Sequence, residues 1–403
     1  MDQNLCDTLL TGAKLQDLLA SSPRANVNGH HLEQVDAKMV GDGQGMTSKV
    51  LRIQLKWKAD PSSNTMPPDS IIVKVIGNKA VGEMFDAMRQ EEVEKLNKQV
   101  AEIHNVECSI YELDELPNLM NLPICYYKAR NTDNEPGIII LEDLGHKGVV
   151  MPPELIGLGV KEVRMNEMVE KLATLHAWSV TTTIDWKKVI PRFQDFNVMR
   201  TFFDQLANMY QKTKNTYPHA FENINEEKLG KYLQYGEFLK VFGCDPGEKY
   251  NLPVVLVHGD LHFVNTMFKK CDRNIYSDEI LAIIDWQFAH QGCGMEDLSR
   301  LVAMSISIEK KHKYREYIVG RYVELFNSKV AKAENRISFD DTKRAFDDYF
   351  AYTATMWGCS LTMLDAYSKQ MKNVTEEERI AIRDRIVDYN IDNFKDARQV
   401  FRF

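Results

Sequence analysis

Three polar residues follow one apolar segment at a spacing that could support chemistry on a hydroxyl group. Residues 253–257 are apolar and predict a buried strand, after which come His258 and Asp260, with Asn265 five positions beyond the aspartate. A carboxylate at Asp260 could orient an attacking hydroxyl and accept its proton. The amide oxygen of Asn265 could hold a metal ion beside it. The alternative interpretation is a surface turn that only ends a core strand.

A second aspartate, Asp285, follows another apolar segment, residues 280–284. The two apolar segments, joined through turn-rich residues 271–274, would form a hairpin that places Asp260 and Asp285 near one another. Because Mg²⁺ is usually held by one or two carboxylates together with substrate phosphates, we predict that Asp285 and Asn265 are its protein ligands. Together the two motifs have the order and spacing of a kinase catalytic site with Asp260 as its base. Asp285 could instead cap the next helix.

Gly43 and Gly45 lie between two predicted strands, residues 34–40 and 49–57. A dinucleotide-binding fingerprint would be followed by a helix, whereas the glycine-rich flap over the ATP phosphates of kinases is followed by a strand. In this sequence a predicted strand follows the glycines, as in kinases. The backbone amides of residues 43–47 are therefore predicted to contact phosphate. A glycine turn that only connects two strands is the alternative.

Lys74 lies within the apolar segment 71–76, where an unpaired ammonium group would be costly to bury. If Lys74 points inward, its ammonium group needs a carboxylate partner. The α- and β-phosphates of ATP could supply further negative charge next to it. Glu107 is the predicted partner, because Glu94 and Glu102 have mostly polar neighbours on their helix faces. The neighbours of Glu107 are mostly apolar: Val100, Ile103, Ile110 and Tyr111. A strand residue that faces water is the alternative for Lys74.

Residues 138–144 predict an inner strand that leads to a hinge between two lobes. There, backbone groups around Glu142 and Leu144 could bind the adenine of ATP, although an ordinary core strand fits the sequence equally well. His176 lies on a predicted helix, and we interpret it as a packed core histidine. Asp297 belongs to a further predicted helix that would brace the catalytic loop.

The order of the predicted elements indicates an α+β fold of the two-lobed, protein-kinase-like type. Strand patterns are concentrated before about residue 148, and the remainder is mostly helical. We therefore predict a small β-rich N-terminal lobe, residues 1–145, with the glycine loop, the ATP-binding lysine and the helix of its paired glutamate. A larger, mostly α-helical C-terminal lobe, residues 146–403, would carry the catalytic loop, the metal site and the acceptor pocket.

The composition limits the classes of protein to consider. The 403 residues are 44% hydrophobic and 27% charged, as in a globular protein, and the formal net charge of -8 argues against nucleic acid as a main partner. No apolar run approaches the roughly 18 residues needed to cross a bilayer, and the first residues lack the features of a signal peptide. The seven cysteines are scattered without a C-x-x-C pair, so we expect a reduced, cytoplasmic protein without a zinc site.

Aromatic and acidic residues are concentrated at residues 346–352, followed by Met356 and Trp357. This cluster could line a pocket for an apolar or cationic alcohol, because aromatic faces suit both. A helix–helix core is the alternative. The sequence indicates neither the acceptor nor the oligomeric state.

The motifs together resemble the ecdysteroid kinase-like (CHK) branch of the choline kinase and aminoglycoside phosphotransferase superfamily. The resemblance covers about residues 30–370. The matching motifs are His258-Gly259-Asp260-Leu261-His262 with Asn265, Ile283-Ile284-Asp285-Trp286-Gln287, His104-Asn105 and Glu107 with Tyr111, Leu141-Glu142-Asp143-Leu144, and Leu172-Ala173 with Leu175-His176-Ala177. The sequence departs from the family pattern in residues 90–100, which are more strongly charged.

The resemblance implies a kinase that uses ATP and Mg²⁺ and transfers the γ-phosphate to the hydroxyl of a steroid-like, choline-like or xenobiotic alcohol. It implies Asp260 as the catalytic base and Asn265 and Asp285 as the metal ligands. It also implies a pair of Lys74 and Glu107 at the ATP phosphates.

Two other classes of protein share parts of this pattern. A protein kinase usually has a long activation segment that ends in Ala-Pro-Glu, but here a predicted helix containing Asp297 begins about twelve residues after Asp285, and no Ala-Pro-Glu occurs. A non-catalytic nucleotide-binding scaffold would typically lack the base, the metal ligands or the lysine. This sequence has candidates for all of them, so a small-molecule kinase is the predicted function.

Overall fold

Two units of different secondary structure make up the chain, Met1–Gly148 and Val149–Phe403. The computed structural model describes residues 1–6, 8–40, 48–58, 66–76, 90–150, 160–271, 276–362 and 374–402. Strands dominate the first unit and helices the larger second unit. This distribution confirms the predicted α+β fold class, with a small β-rich N-terminal part and a larger, mostly helical C-terminal part.

An antiparallel sheet forms the framework of the first unit. Its strands and the accompanying helices are, in chain order, α1 (Gly12–Ala20), β1 (His31–Met39), β2 (Ser48–Lys58), β3 (Ser70–Ile76), α2 (Gln90–Ile110), α3 (Leu116–Leu119), β4 (Cys125–Ala129) and β5 (Ile138–Glu142). The strand order is β1-β2-β3-β5-β4, and all neighbouring strands are antiparallel. Leu51, Ile53 and Leu55 are buried, as their alternation with polar residues predicts, and α1 adds Leu15 and Leu19 to the same core.

The central strand of this sheet is β3, which lies between β2 and β5. Helix α2 contacts β3. The side of α2 that carries Val100, Ile103 and Glu107 is buried, although Glu107 is a carboxylate. The helical spacing of these residues therefore positions one acidic group in the interior next to the central strand.

Helices surround short strands in the second unit. The elements are, in chain order, β6 (Gly148–Val150), α4 (Glu162–Thr181), α5 (Asn197–Thr216), α6 (Glu226–Tyr232), α7 (Tyr235–Phe242), α8 (Pro246–Tyr250), β7 (Val255–Val257), β8 (Thr266–Lys270), β9 (Tyr276–Ile283), β10 (His290–Gly292), α9 (Met295–Ser305), α10 (Ile308–Lys329), α11 (Phe339–Cys359) and α12 (Glu376–Phe401). Within the described ranges, none of the helices combines the length and apolar character that a membrane span requires.

The strand pairing in the second unit corrects one prediction. Strand β7 pairs with β10, and β8 pairs with β9, both antiparallel. The expected hairpin between residues 253–257 and residues 280–284 is therefore wrong. The partner of β9 is the strand that begins directly after Asn265, and it was missed because its five residues include two lysines and no continuous apolar run.

The aromatic residues at 346–352 belong to the helical core of the second unit. Phe346, Tyr349, Phe350 and Tyr352 on α11 are all buried. The hydroxyl of Tyr349 donates to the main-chain carbonyl of Val241 over 2.8 Å, so its polar atom is satisfied inside the protein. These four rings therefore pack as helix–helix core, whereas Met356 and Trp357 of the same cluster are half-buried. A role of this cluster in an acceptor pocket stays a prediction.

Candidate active site

The two predicted metal ligands lie at the same end of the β8–β9 hairpin. Thr266, the residue after Asn265, is the register partner of Ile283. One position further along, the amide of Ile284 donates to the main-chain carbonyl of Asn265 over 2.9 Å. Asp285 follows immediately. The hairpin therefore brings Asn265 and Asp285 together, although through a strand that the sequence pattern did not reveal.

Asp285 has a backbone conformation that is uncommon for residues other than glycine. Its φ is +68°, in the left-handed region. The next residue, Trp286, is fully buried and donates from its indole nitrogen to the carbonyl of Ile283 over 3.1 Å. The side-chain nitrogen Nε2 of Gln287 donates to Oδ2 of Asp285 over 3.3 Å. The Gln287 contact and the buried Trp286 side chain beside it support this conformation, and an uncommon backbone conformation that its surroundings enforce is often found at functional positions.

Gly259 is required by the geometry of the turn that carries Asp260. Its φ is +81°, and a Cβ atom at this position would lie 2.3 Å from the main-chain oxygen of Phe288. A residue with a side chain would therefore meet both backbone strain and a backbone clash. Since Phe288 follows the Asp285 segment, the close approach at Gly259 also fixes the two motifs against one another.

We expect Gly259→Ala to destabilise the protein by at least about 2 kcal/mol, because the positive φ and the clash add together. It should also reduce any activity that depends on Asp260. Urea unfolding measures the first effect. Gly230→Ala on α6 is the matched control, because an added methyl group there meets nothing within 4 Å. Equal stability of the two variants would contradict the expectation.

His258 is a structural member of the site. Its Nδ1 accepts from the amide of Asp260 over 3.3 Å, so its other nitrogen, Nε2, carries the proton and donates to the carbonyl of Ile284 over 3.1 Å. Burial lowers the pKa of His258, which keeps the ring neutral in this arrangement. Its ring also packs on that of Trp286, with 4.5 Å between centroids. His258 thus joins the Asp260 segment to the Asp285 segment.

Asp297 on α9 holds the start of the catalytic loop. Its two carboxylate oxygens accept from the amides of His258 and Gly259 over 2.7 and 3.0 Å. Burial opposes its ionisation, but the nearby His176 ring and the amide donors lower the pKa of Asp297 below its usual value. His176, the predicted core histidine, is fully buried between Asp297 and the hydroxyl of Tyr322. The predicted bracing helix is therefore α9.

Asp260 is surrounded by groups that favour its ionised form. Asn265 Nδ2 donates to the main-chain oxygen of Asp260 over 2.9 Å and to its Oδ2 over 3.2 Å. His262 Nε2 lies 3.6 Å from Oδ2, and Arg300 Nη1 donates to Oδ1 over 3.3 Å. Burial raises the pKa of Asp260, but His262 and Arg300 outweigh it and lower the pKa to about 2. The carboxylate is therefore ionised at neutral pH and can accept a hydrogen bond.

Arg300 was not identified from the sequence. It lies on α9 three positions after Asp297, and residues three apart share a helix face. If Asp297 contacts the loop, Arg300 should reach it as well. The spacing of Asp297 and Arg300 could therefore have predicted this contact, but only with the knowledge that Asp297 contacts the catalytic loop.

The side chains around Asp260 suit a hard divalent cation. The amide nitrogen of Asn265 donates to Asp260, so the amide oxygen of Asn265 and the Asp285 carboxylate could serve as cation ligands. Oxygen ligands of this kind are the ones Mg²⁺ prefers. In the described part of the chain, no three His, Cys, Asp or Glu side chains form a metal cluster. A cation at this position could take further ligands from other donors, such as the phosphate oxygens of a nucleotide.

In the first unit, Lys74 and Glu107 form the ion pair that the sequence predicts. The Lys74 ammonium donates to both oxygens of Glu107, over 2.8 and 2.6 Å. The residues are only 8% and 2% exposed, so the alternative of a lysine that faces water is wrong. The role of the pair towards a nucleotide stays a prediction.

His104, one helical turn before Glu107, should make the stability of the protein pH-dependent. Burial lowers the pKa of His104 to about 4. Because the unfolded chain binds this proton near pH 6.5, the stabilisation is complete above that pH and is lost as the pH falls towards 4. The loss can reach about 3 kcal/mol. Urea unfolding at pH 7 and pH 4.5 should show a smaller difference for His104→Gln than for the wild type; an unchanged difference would contradict the assignment.

The predicted adenine-binding residues already have partners at several groups. The amide of Glu142 donates to the carbonyl of Ile124 over 2.8 Å, and its side chain accepts from Lys147 Nζ over 2.6 Å. The carbonyl of Leu144 accepts from the amide of Lys147 over 2.9 Å. Between them, Asp143 is buried and accepts from Arg52 Nε over 2.8 Å. These groups are therefore already hydrogen-bonded within the protein, and adenine binding there stays a prediction.

The predicted phosphate-binding amides of residues 43–47, including Gly43 and Gly45, lie outside the described residues. The structure describes the strands on either side, β1 and β2, which form an antiparallel pair. The strand–glycine–strand order predicted from the sequence is therefore present.

Comparison with known proteins places the chain in a family. A family model, DUF1679, described as "Uncharacterized oxidoreductase dhs-27", matches residues 22–399, and the chain belongs to this family. A Caenorhabditis elegans relative with that same description is 22% identical over 322 residues, which are 77% of this chain and 37% of the relative. A C. elegans relative named as a kinase-like protein is 21% identical over 265 residues, 62% of each chain. This chain thus spans less than two thirds of either relative.

Solved structures of small-molecule kinases are among the similar proteins. A Plasmodium vivax ethanolamine kinase is 12% identical, with a TM-score of 0.42 and coverage of 99% of this chain and 92% of that one. A choline/ethanolamine kinase family protein from Mesorhizobium loti is 14% identical, with a TM-score of 0.38 and coverage of 97% and 98%. These values are too low to transfer a substrate to this chain.

Proposed function

We propose that this chain is a small-molecule kinase that transfers the γ-phosphate of ATP to an alcohol hydroxyl with the help of Mg²⁺. The proposal rests on the contact of the Asp260 carboxylate with the side chain of Asn265. The main-chain carbonyl of Asn265 in turn accepts from the amide of Ile284, the residue directly before Asp285. A carboxylate base next to two oxygen ligands for Mg²⁺ is the arrangement that phosphoryl transfer requires.

In this reaction the acceptor hydroxyl oxygen attacks the γ-phosphorus while the bond to the β-phosphate oxygen breaks. The hydroxyl proton passes to the Asp260 carboxylate. Because the pKa of Asp260 is held at about 2, this carboxylate is a weak base that orients the hydroxyl in the ground state and takes its proton late in the transfer. Mg²⁺ bound at Asn265 and Asp285 would neutralise charge on the phosphates. Catalysis would rest mostly on positioning and electrostatic stabilisation.

The nucleotide contacts are assigned on the same basis. Lys74, oriented by Glu107, would bind the ATP phosphates, with the amides of Gly43 and Gly45 as further contacts. Backbone groups around Glu142 and Leu144 would bind adenine. Residues 1–145 would thus serve the nucleotide, and residues 146–403 would supply the base, the metal ligands and the acceptor site.

We further propose the ecdysteroid kinase-like branch as the subfamily and a steroid-like, choline-like or xenobiotic alcohol as the acceptor, acted on in the cytoplasm. The motif residues support this assignment. The word "oxidoreductase" stands in the description of the family model and in the name of one relative, a protein of which this chain covers 37%. In this chain a strand, β2, follows the glycine segment, whereas a dinucleotide-binding fingerprint would be followed by a helix.

The test is a transfer screen with γ-labelled ATP and Mg²⁺ against pooled small-molecule alcohols. A labelled small product that forms with the wild type but not with Asp260→Asn would support the proposal and identify the acceptor class. A parallel incubation with NAD(P)⁺ and the same pools tests oxidation. ATP binding without transfer to any pool would favour a non-catalytic nucleotide-binding protein, and label on a protein would favour a protein kinase.

A further inference from the structure

Arg300 contacts the carboxylate of Asp260 from the helix behind the catalytic loop. It lies in the middle of α9, and its side chain is 13% exposed. Its Nη1 donates to Oδ1 of Asp260 over 3.3 Å. The guanidinium is planar and its donors have fixed directions, so this contact restrains where the oxygen can lie.

The opposite oxygen of the same carboxylate is held by other groups. Asn265 Nδ2 donates to Oδ2 of Asp260 over 3.2 Å, and His262 Nε2 lies 3.6 Å from it. With one oxygen bound to Arg300 and the other to Asn265, the carboxylate plane of Asp260 cannot rotate without the loss of a hydrogen bond. Each oxygen still has a lone pair for an additional donor. The arrangement fixes the carboxylate but does not block it.

Stability of the fold does not explain why an arginine occupies this position. Its Nε is buried and has no hydrogen-bond partner among the residues that the structure describes. An unsatisfied buried donor is a cost to the folded state, and such exceptions in native structures often have a functional cause. A methionine would follow the same path as the arginine stem without this cost.

We infer that Arg300 is a positioning residue that holds the Asp260 carboxylate in the orientation needed to receive the acceptor hydroxyl. This inference rests on the proposed kinase function. Under this inference the two oxygens of the Asp260 carboxylate have different contacts. Oδ2 accepts from Asn265, the proposed metal ligand, and Oδ1 is aligned by Arg300.

The test compares Arg300→Met and Arg300→Lys with the wild type. In Arg300→Met we expect kcat to fall roughly 10- to 100-fold, because a small misplacement of a reacting group has effects of this size. The KM for ATP should stay within about twofold. The midpoint of urea unfolding should change little, because the lost ion pair with Asp260 and the removed unsatisfied Nε donor offset one another. Arg300→Lys should recover part of the kcat, because an ammonium group can still reach Oδ1. A parallel loss of kcat and stability, or a wild-type kcat in Arg300→Met, would overturn the inference.

A second measurement separates this inference from the proposed function. If the wild type transfers phosphate to no acceptor, the proposed function fails. A double-mutant cycle of Arg300→Met with Asp260→Asn, measured by urea unfolding, then gives the coupling free energy between the two side chains. A coupling between the two sites supports the link between Arg300 and Asp260. Additive effects overturn it.

Discussion

Asp260→Asn is expected to lower the rate of phosphate transfer by roughly 10²- to 10⁴-fold, the usual contribution of a general base. The asparagine keeps the size of the side chain and can still accept a hydrogen bond from Asn265 or Arg300. It cannot accept the hydroxyl proton, because the amide lacks the basicity of a carboxylate. The affinity for Mg·ATP should stay close to that of the wild type, since Asp285 and Asn265 are the proposed metal ligands.

Turnover and ATP binding must be measured on the same preparations to separate these effects. Asp278→Asn on β9 is the matched control, because Asp278 is also a partly exposed, arginine-paired aspartate, with 37% of its side chain exposed and 2.7 Å to Arg164. It should leave turnover unchanged. Undiminished turnover in Asp260→Asn would rule out Asp260 as the base, whereas loss of turnover together with ATP binding would make it a metal ligand instead.

The proximity of Asp260 and Asn265 could be predicted because their relationship is local, whereas Arg300, 40 positions from Asp260, was not identified. Asp260 and Asn265 are five positions apart, so a single turn of chain determines their hydrogen bond. The partner of Lys74 could also be predicted, although it is 33 positions away. Glu107 is an acidic residue on an otherwise apolar helix face, and a buried carboxylate and a buried ammonium require one another.

The pairing of the strands could not be predicted in the same way. Periodicity shows that a segment is buried, but it does not show which strand lies beside it. Residues 253–257 and 280–284 were both correctly predicted to be buried strands, yet each pairs with a strand outside the predicted hairpin. The correct pairing keeps Asn265 next to Asp285, because both lie at the end of the β8–β9 hairpin.

Backbone conformation was also beyond the sequence pattern. A glycine between His258 and Asp260 is part of the motif, but its positive φ and its contact with Phe288 depend on how the Asp285 segment returns to the loop. The left-handed conformation of Asp285 has the same origin. These features arise from tertiary packing, in which Trp286 and His258 fix one segment against the other.

The buried pair of Lys74 and Glu107 should show the second large effect. Glu107→Leu leaves the Lys74 ammonium buried without its carboxylate, which is expected to destabilise the protein by about 3–5 kcal/mol. The double variant Lys74→Met/Glu107→Leu replaces the pair by apolar side chains of similar length. Because well-packed apolar replacements of buried ion pairs are often neutral or stabilising, most of the stability should return.

Binding of Mg·ATP by the double variant then distinguishes a structural pair from a functional one. If Lys74 binds the nucleotide phosphates, the double variant should unfold at nearly the wild-type urea concentration but bind ATP much more weakly. The loss should be tenfold or more, about 1.4 kcal/mol, as expected for a lost charge-assisted contact. Wild-type ATP affinity in a stable double variant would show that the pair only supports the fold. An unstable double variant would instead mean that the space around Lys74 and Glu107 is shaped for the charged groups themselves.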